Sequence, residues 1–359
     1  MILNRTSKAI LSSWLLIATA GILVVDCNYT PPVLGQEDVL VIIASVEDRP
    51  LLEPLLMDVF DHTMATPAPE SYYQIRWESP VDFEDFQHYK NLIIASLAFP
   101  SDSTGDILIQ KILGEERVAE AREGGNPIFV SSDYLARGQM FMALSALDAV
   151  HARQEIIRLN TWIFDQFEQQ LRIRQHESVY KYRTERKLER ELEEKYDWHL
   201  SIQQGYITVK ELPEKNFVWL GKGYPYQWLA VHWIDQADTI TITPDWAWRH
   251  MEYAADSLFE DIYMDSLFRS IELGTENGHN IYILRGIWGH DSLTAGGPFF
   301  TYAFRDREQN RVYFITGLIF NPSGTKALLI RRQEVVSRTF HTFEKPPSST
   351  SQSPNNNLI

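Results

Sequence analysis

The chain of 359 residues is predicted to fold as an α+β protein: two sheet-containing halves with flanking helices, joined by a long charged helix. Three observations carry that expectation. Two unbroken apolar runs, Val39 to Ala44 and Leu92 to Phe99, have the length and composition of strands buried on both faces. Between Asp148 and about Asp197, apolar residues recur at helical spacing in an otherwise charged stretch. Beyond it, short β-rich runs return and end in a hairpin.

Taken in order, residues 1–26 read as an export signal: Arg5 and Lys8, an apolar run from Ala9 to Val25, then a polar break at Asp26. Cleavage there makes Cys27, the only cysteine, the new amino terminus, where its thiolate could accept a diacylglyceryl lipid anchor. Asp26 departs from the small residue that lipoprotein signals carry at that place. Ordinary secretion, or an uncleaved anchor just short of the ~20 residues that span a bilayer, therefore stay open as alternatives. Residues 27–38, with Pro31, Pro32 and Gly35, read as a tether.

The first half covers residues 39–147. Val39 to Ala44 is a strand, and Asp48 with Pro50 opens a helix to about Phe60. Leu92 to Phe99 nearly repeats the first strand, because two buried strands draw on the same residue set. Ile107 to Arg122 is expected to be one helix stopped by Gly124 and Gly125, with strands at Ile128 to Val130 and Met140 to Ala146. The linking helix, 148–197, carries a stripe of Ile156, Leu159, Ile163, Phe167 and Leu171, resumed by Leu188, Leu192 and Tyr196. Unbroken, it would be about 75 Å long, so a break is expected between His176 and Tyr182.

The second half covers 198–343. Strands are expected at Leu200 to Glu211, Phe217 to Leu220, Trp228 to Ile234, Asn280 to Trp288, Phe299 to Arg305 and Arg311 to Phe320. A helix capped by Thr243, with Pro244 at its first position, should run to about Phe268. A last helix spans Thr325 to Phe340, started by Asn321 or Ser323. Residues 344–359 are rich in Pro, Ser and Asn and read as a disordered tail.

Composition removes several function classes. Lys and Arg number 33 against 48 Asp and Glu, a net charge of -15, and no basic stripe offsets it, so no nucleic-acid partner is expected. One cysteine allows no disulfide within the chain. No Cys or His spacing suits a metal, and no cofactor is implied.

Three constellations could carry chemistry. Five of the ten tryptophans fall between Trp219 and Trp248, with Tyr224, Tyr226, His232 and His250 among them. On an exposed face such rings stack on sugars. Strand alternation, however, puts Trp228, Ala230, His232 and Ile234 on one side and Leu229, Val231 and Trp233 on the other, so at least one set belongs to the core. Ser323 and Lys326 match an S-x-x-K pattern, but without K-T-G or S-D-N the stretch reads as a helix start. His290-Asp291-Ser292 lies in a glycine-flanked loop; adjacent residues cannot form a triad, so a polar turn or a contact loop is expected.

The segments Asp133-Tyr-Leu-Ala-Arg137-Gly138-Gln139, Gln204-Gly205-Tyr206, Gly223 through Trp233, Gly297-Pro298-Phe299 and the final hairpin with its Lys326-containing helix together resemble domain of unknown function 4837, a family of uncharacterised Bacteroidetes-type lipoproteins. The resemblance runs in order along nearly the whole mature chain. It implies a lipidated amino-terminal cysteine and transfers no catalytic residue.

The resulting expectation is a non-enzymatic cell-envelope lipoprotein, membrane-anchored through Cys27 and facing the periplasm or exterior, that binds an envelope protein or glycan. Tyr226, Trp228, His232, Trp233 and His290 are the candidate ligand contacts. The alternatives are a hydrolase acting on cell-wall or glycan material, and a secreted or periplasmic soluble protein.

Overall fold

The computed structural model describes residues 30–99, 103–259 and 261–343. Cys27, the expected export signal and the expected tail at 344–359 lie outside them. Among the described residues, no helix is long and apolar enough to cross a membrane.

The first half is a five-stranded sheet in the order β4-β1-β5-β7-β6. β1 (Val39–Ile43) leads into α1 (Arg49–Phe60), followed by the short pair β2 (Thr63–Met64) and β3 (Glu70–Ser71) and then by β4 (Gln74–Glu78). The single turn α2 (Phe83–Phe86) precedes β5 (Asn91–Leu97); α3 (Ser103–Leu113), α4 (Glu115–Arg122), β6 (Ile128–Ser132) and β7 (Met140–Ala146) complete the half. Within the five-stranded sheet all pairings are parallel except that of β6 with β7. The two look-alike runs are central neighbours, Ile42 beside Ile93 and Ile43 beside Ile94, and every residue of β5 is buried. Side chains of one parity pack under α1 and α5 (Ala149–Tyr180), those of the other under α2, α3 and α4.

Three local expectations change. The helix expected from Ile107 to Arg122 is broken at Gly114, whose φ of +87° suits glycine and interrupts the helical path. Asp48 does not cap α1 with its side chain; its Oδ2 accepts the Leu97 N–H at 3.1 Å and ties α1 to β5. The expected tether is bound to the body from Pro31 onward. The Arg137 N–H donates to the Pro31 carbonyl at 2.8 Å, the Leu34 N–H to the His88 carbonyl at 2.8 Å, and the Lys90 N–H to the Leu34 carbonyl at 3.0 Å. Glu37 then meets Lys90 at 2.8 Å and the buried Arg174 at 2.8 Å. Burial alone would raise the Glu37 pKa, but the two cations outweigh it and hold the carboxyl below its ordinary value.

The helical stretch divides into α5 and α6 (Arg186–Tyr196), so the break falls just past Tyr180. Ile156, Ile163, Phe167 and Leu171 are buried, as the stripe required. Glu189 turns inward to accept the Ile202 N–H at 2.7 Å, and Lys195 reaches Glu211 at 3.1 Å.

The second half contains β8 (Trp198–His199), β9 (Ile207–Leu212), β10 (Phe217–Lys222), β11 (Tyr226–Asp235), α7 (Pro244–Ser257), β12 (Ile262–Glu276), β13 (His279–His290), β14 (Gly296–Asp306), β15 (Arg311–Phe320), α8 (Ala327–Ser337) and β16 (His341–Thr342). Seven of these strands form one antiparallel sheet in the order β12-β13-β14-β15-β11-β10-β9. The strand expected from Leu200 starts only at Ile207. The helix expected to reach Phe268 stops at Ser257, and the chain continues as the 15-residue edge strand β12. An edge strand with one solvated side shows weak apolar alternation, and an irregularity between Met264 and Arg269 disrupts it further.

α7 covers one face of this sheet and α8 the other. As expected, Thr243 caps α7, its Oγ1 accepting the Trp246 N–H at 3.2 Å. α8 is capped instead by the other half: Glu70 Oε2 accepts the N–H groups of Lys326 at 2.7 Å and Ala327 at 2.8 Å. Neither Asn321 nor Ser323 does so. One turn farther along, Arg331, 5% exposed, pairs with Glu168 of α5, stacks on Tyr72 and Tyr73, and donates to the Tyr72 carbonyl at 3.0 Å.

Candidate functional site

The alternation along β11 splits the expected contact residues. Trp233, on the α8 side, is core: 3% exposed, with its ring centroid 5.0 Å from Tyr196 and the Arg311 guanidinium 5.6 Å from the ring. His232, on the α7 side, is also buried. Its Nδ1 lies 2.9 Å from the Asn216 carbonyl, so Nδ1 carries the hydrogen, and its ring lies flat against His250 of α7 at 5.1 Å and 5°. His250 continues the stack onto Phe314 at 4.2 Å and Trp246 at 5.3 Å. Burial lowers the pKa of His232; burial, then the neighbouring His232, lowers that of His250 to about 4. The two rings are neutral packing elements at ordinary pH.

His290, at the end of β13, holds its own turn: Nδ1 accepts the N–H groups of Ser292 at 3.1 Å and Leu293 at 3.3 Å. This is the polar-turn reading of the His-Asp-Ser loop. Ser323 bonds the Tyr224 hydroxyl, while Lys326 Nζ lies 3.0 Å from the Gly324 carbonyl and 3.5 Å from Glu70. The S-x-x-K serine and lysine thus face different partners.

Tyr226 and Trp228 do come together. Tyr226 is 41% exposed and lies nearly parallel to Trp228 at 5.6 Å and 14°, and to Phe320, its partner in register, at 6.1 Å and 27°. Tyr224, 60% exposed, stands edge-on to Tyr226 at 6.1 Å. Trp288 supports the group from below, edge-on to Trp228 at 5.7 Å, its Nε1 donating to the Ile319 carbonyl at 3.2 Å. Two glycines make the room. A Cβ on Gly221 would come within 2.9 Å of Trp228 and 2.5 Å of Val209, and one on Gly297 would strike the Ile319 carbonyl. Phe320 and Trp288 were absent from the expected contacts; their parity beside Tyr226 and Trp228 could have found them once the strand register was known.

A groove of about 990 Å³ lies at the other end of the sheet, between the β12–β13 turn and the end of β14. Much of its polar lining is engaged internally: Glu276 pairs with Arg338, Asp306 accepts from the Glu308 and Gln309 N–H groups and the Thr342 hydroxyl, and the Asn277 amide donates to the Arg338 and Phe340 carbonyls at 2.9 and 2.8 Å. Among the described residues, no three His, Cys, Asp or Glu side chains gather as metal ligands would.

No curated protein matches the chain. Among solved structures, a crystal structure from Bacteroides thetaiotaomicron VPI-5482 is similar at 6% identity over 42% of this chain and 47% of that one, with a TM-score of 0.28. The Saccharomyces cerevisiae Ran-binding protein Mog1p is similar at 11% identity over 41% of this chain and 90% of its own, with a TM-score of 0.29. The chain thus spans about half of the Bacteroides structure, and likeness this distant says nothing of what it binds. The model of the family described as Domain of unknown function (DUF4837) matches residues 185–339, from the start of α6 to just past α8. That is the second half, without the Asp133 to Gln139 segment included in the resemblance. Residues 185–339 of this chain thus belong to the domain of unknown function 4837 family.

Proposed function

We propose that this protein is a cell-envelope lipoprotein, anchored through Cys27, that binds a glycan without catalysis at the Tyr224–Tyr226–Trp228–Phe320 platform. One observation carries the binding site: an exposed tyrosine ring stacked on a tryptophan, backed by further aromatics and by glycines that leave them room. Flat rings of this kind match the C–H faces of sugars. The hydrolase alternative needs histidines converging with a carboxylate, whereas buried His232 and half-buried His250 stack on each other and His290 braces a turn. The sequence order of export signal, Cys27 and bound tether supports the anchor.

The test is binding of the purified protein to peptidoglycan sacculi and soluble muropeptides, by sedimentation and calorimetry. Tyr226→Ala should weaken binding about tenfold, the order of one lost aromatic contact, with the fold retained by circular dichroism. Absence of binding by the unaltered protein, or full binding by the variant, would refute the platform. Mass spectrometry of the mature amino terminus tests the anchor independently.

A further inference from the structure

We propose that the edge of the first half bearing Pro32, Leu34 and Arg137 is held against the bilayer surface; this rests on the lipid-anchor reading above. The argument is one of chain length. Pro31 is already hydrogen-bonded to the body through the Arg137 N–H, and Leu34 is bonded on both sides, to His88 and Lys90. From Cys27 to Pro31 there are four steps along the chain, which reach about 14 Å at full extension. A lipid on Cys27 therefore cannot release the body far from the membrane, and the nearest surface is the one surrounding the bound strand.

That surface suits a bilayer interface. Val33 turns inward against Gly138, while Pro32 and Leu34 face out, Leu34 with 55% of its surface exposed. Arg137 is exposed beside them, able to meet lipid phosphates. The nearest carboxylate on the strand, Glu37, is neutralised by Arg174 and Lys90, and the exposed Asp133 beside Arg137 is held by the Gly138 N–H. Leu34 lies before the start of β1 and Val46 beyond its end, separated by a strand of five residues, about 16 Å. The bilayer should contact the first position and miss the second.

The chemistry of Cys27 makes the test clean, because a thioether-linked lipid leaves no free thiol in the chain. Leu34→Cys, Arg137→Cys and Val46→Cys, each purified as the lipidated protein, would be labelled with an environment-sensitive fluorophore. They would then be reconstituted into vesicles of phosphatidylethanolamine and phosphatidylglycerol carrying a headgroup quencher. Labels at 34 and 137 should lose most of their emission and the label at 46 little. Inserting about ten Gly and Ser residues between Tyr29 and Thr30, which adds up to about 35 Å of reach, should restore the emission at 34. Equal quenching at 34 and 46, or none at 34 and 137 in a protein shown by mass spectrometry to be lipidated, refutes the apposition alone. An unlipidated terminus refutes the anchor and the apposition together.

Discussion

The His232–His250 stack makes the fold sensitive to mild acid. In the unfolded chain both imidazoles take up a proton near pH 6.5; in the folded chain His250 does so only near pH 4, because burial and then the adjacent His232 oppose its charge. Across that window the unfolded state binds more protons, so stability is flat above pH 6.5 and falls as the pH drops toward 4. For His250 alone the full span is about 3 kcal/mol, of which about 2 kcal/mol is lost between pH 7.5 and pH 5. His232, also lowered, adds to this. Urea unfolding at several pH values, in the unaltered protein and in His250→Phe, measures the effect. Phenylalanine keeps the stack on Phe314 and Trp246 and cannot be protonated, so the variant should lose less stability than the parent on going to pH 5. Identical pH slopes in the two proteins, or a His250 ring titrating near pH 6.5 by NMR, would refute the reasoning.

Two further outcomes follow from the packing. Arg331→Leu leaves half-buried Glu168 with the Tyr73 hydroxyl but without its cation and should cost about 2–4 kcal/mol in urea unfolding, toward the low end for a broken buried pair; Glu168→Gln combined with Arg331→Leu should recover part of that, and a double variant as unstable as the sum of the singles would contradict the pairing. Gly221→Ala drives a methyl group into Trp228 and Val209 and should cost about 1–3 kcal/mol while altering tryptophan fluorescence, whereas an unchanged melting temperature would contradict the tight approach.

Strands buried on both faces were legible because they are almost wholly apolar, as β1 and β5 show, with Asn91 and Ser96 the polar members of β5. Helix starts with local chemistry were legible too, such as Thr243-Pro244. β12 was hidden because an edge strand with a solvated side carries no clean alternation. The cap of α8 was hidden because its acceptor, Glu70, is 256 positions away in sequence. The site was half legible. Parity separates Trp228 from Trp233, but both faces of the sheet are covered by helices, so parity could not say that only the Tyr226 end stays open. Nor could it say that His232 would be buried against a histidine from α7.

The carboxylate of Glu70 on the first turn of α8 bears on how the chain is made. Residue 70 leaves the ribosome long before Lys326, so the half that supplies the cap is complete before the helix that needs it exists. The segment 185–339, which the family shares, would emerge alone with uncapped amides at α8 and an unpaired Arg331. Segment 185–339 by itself therefore lacks the partners that the first half supplies to α8.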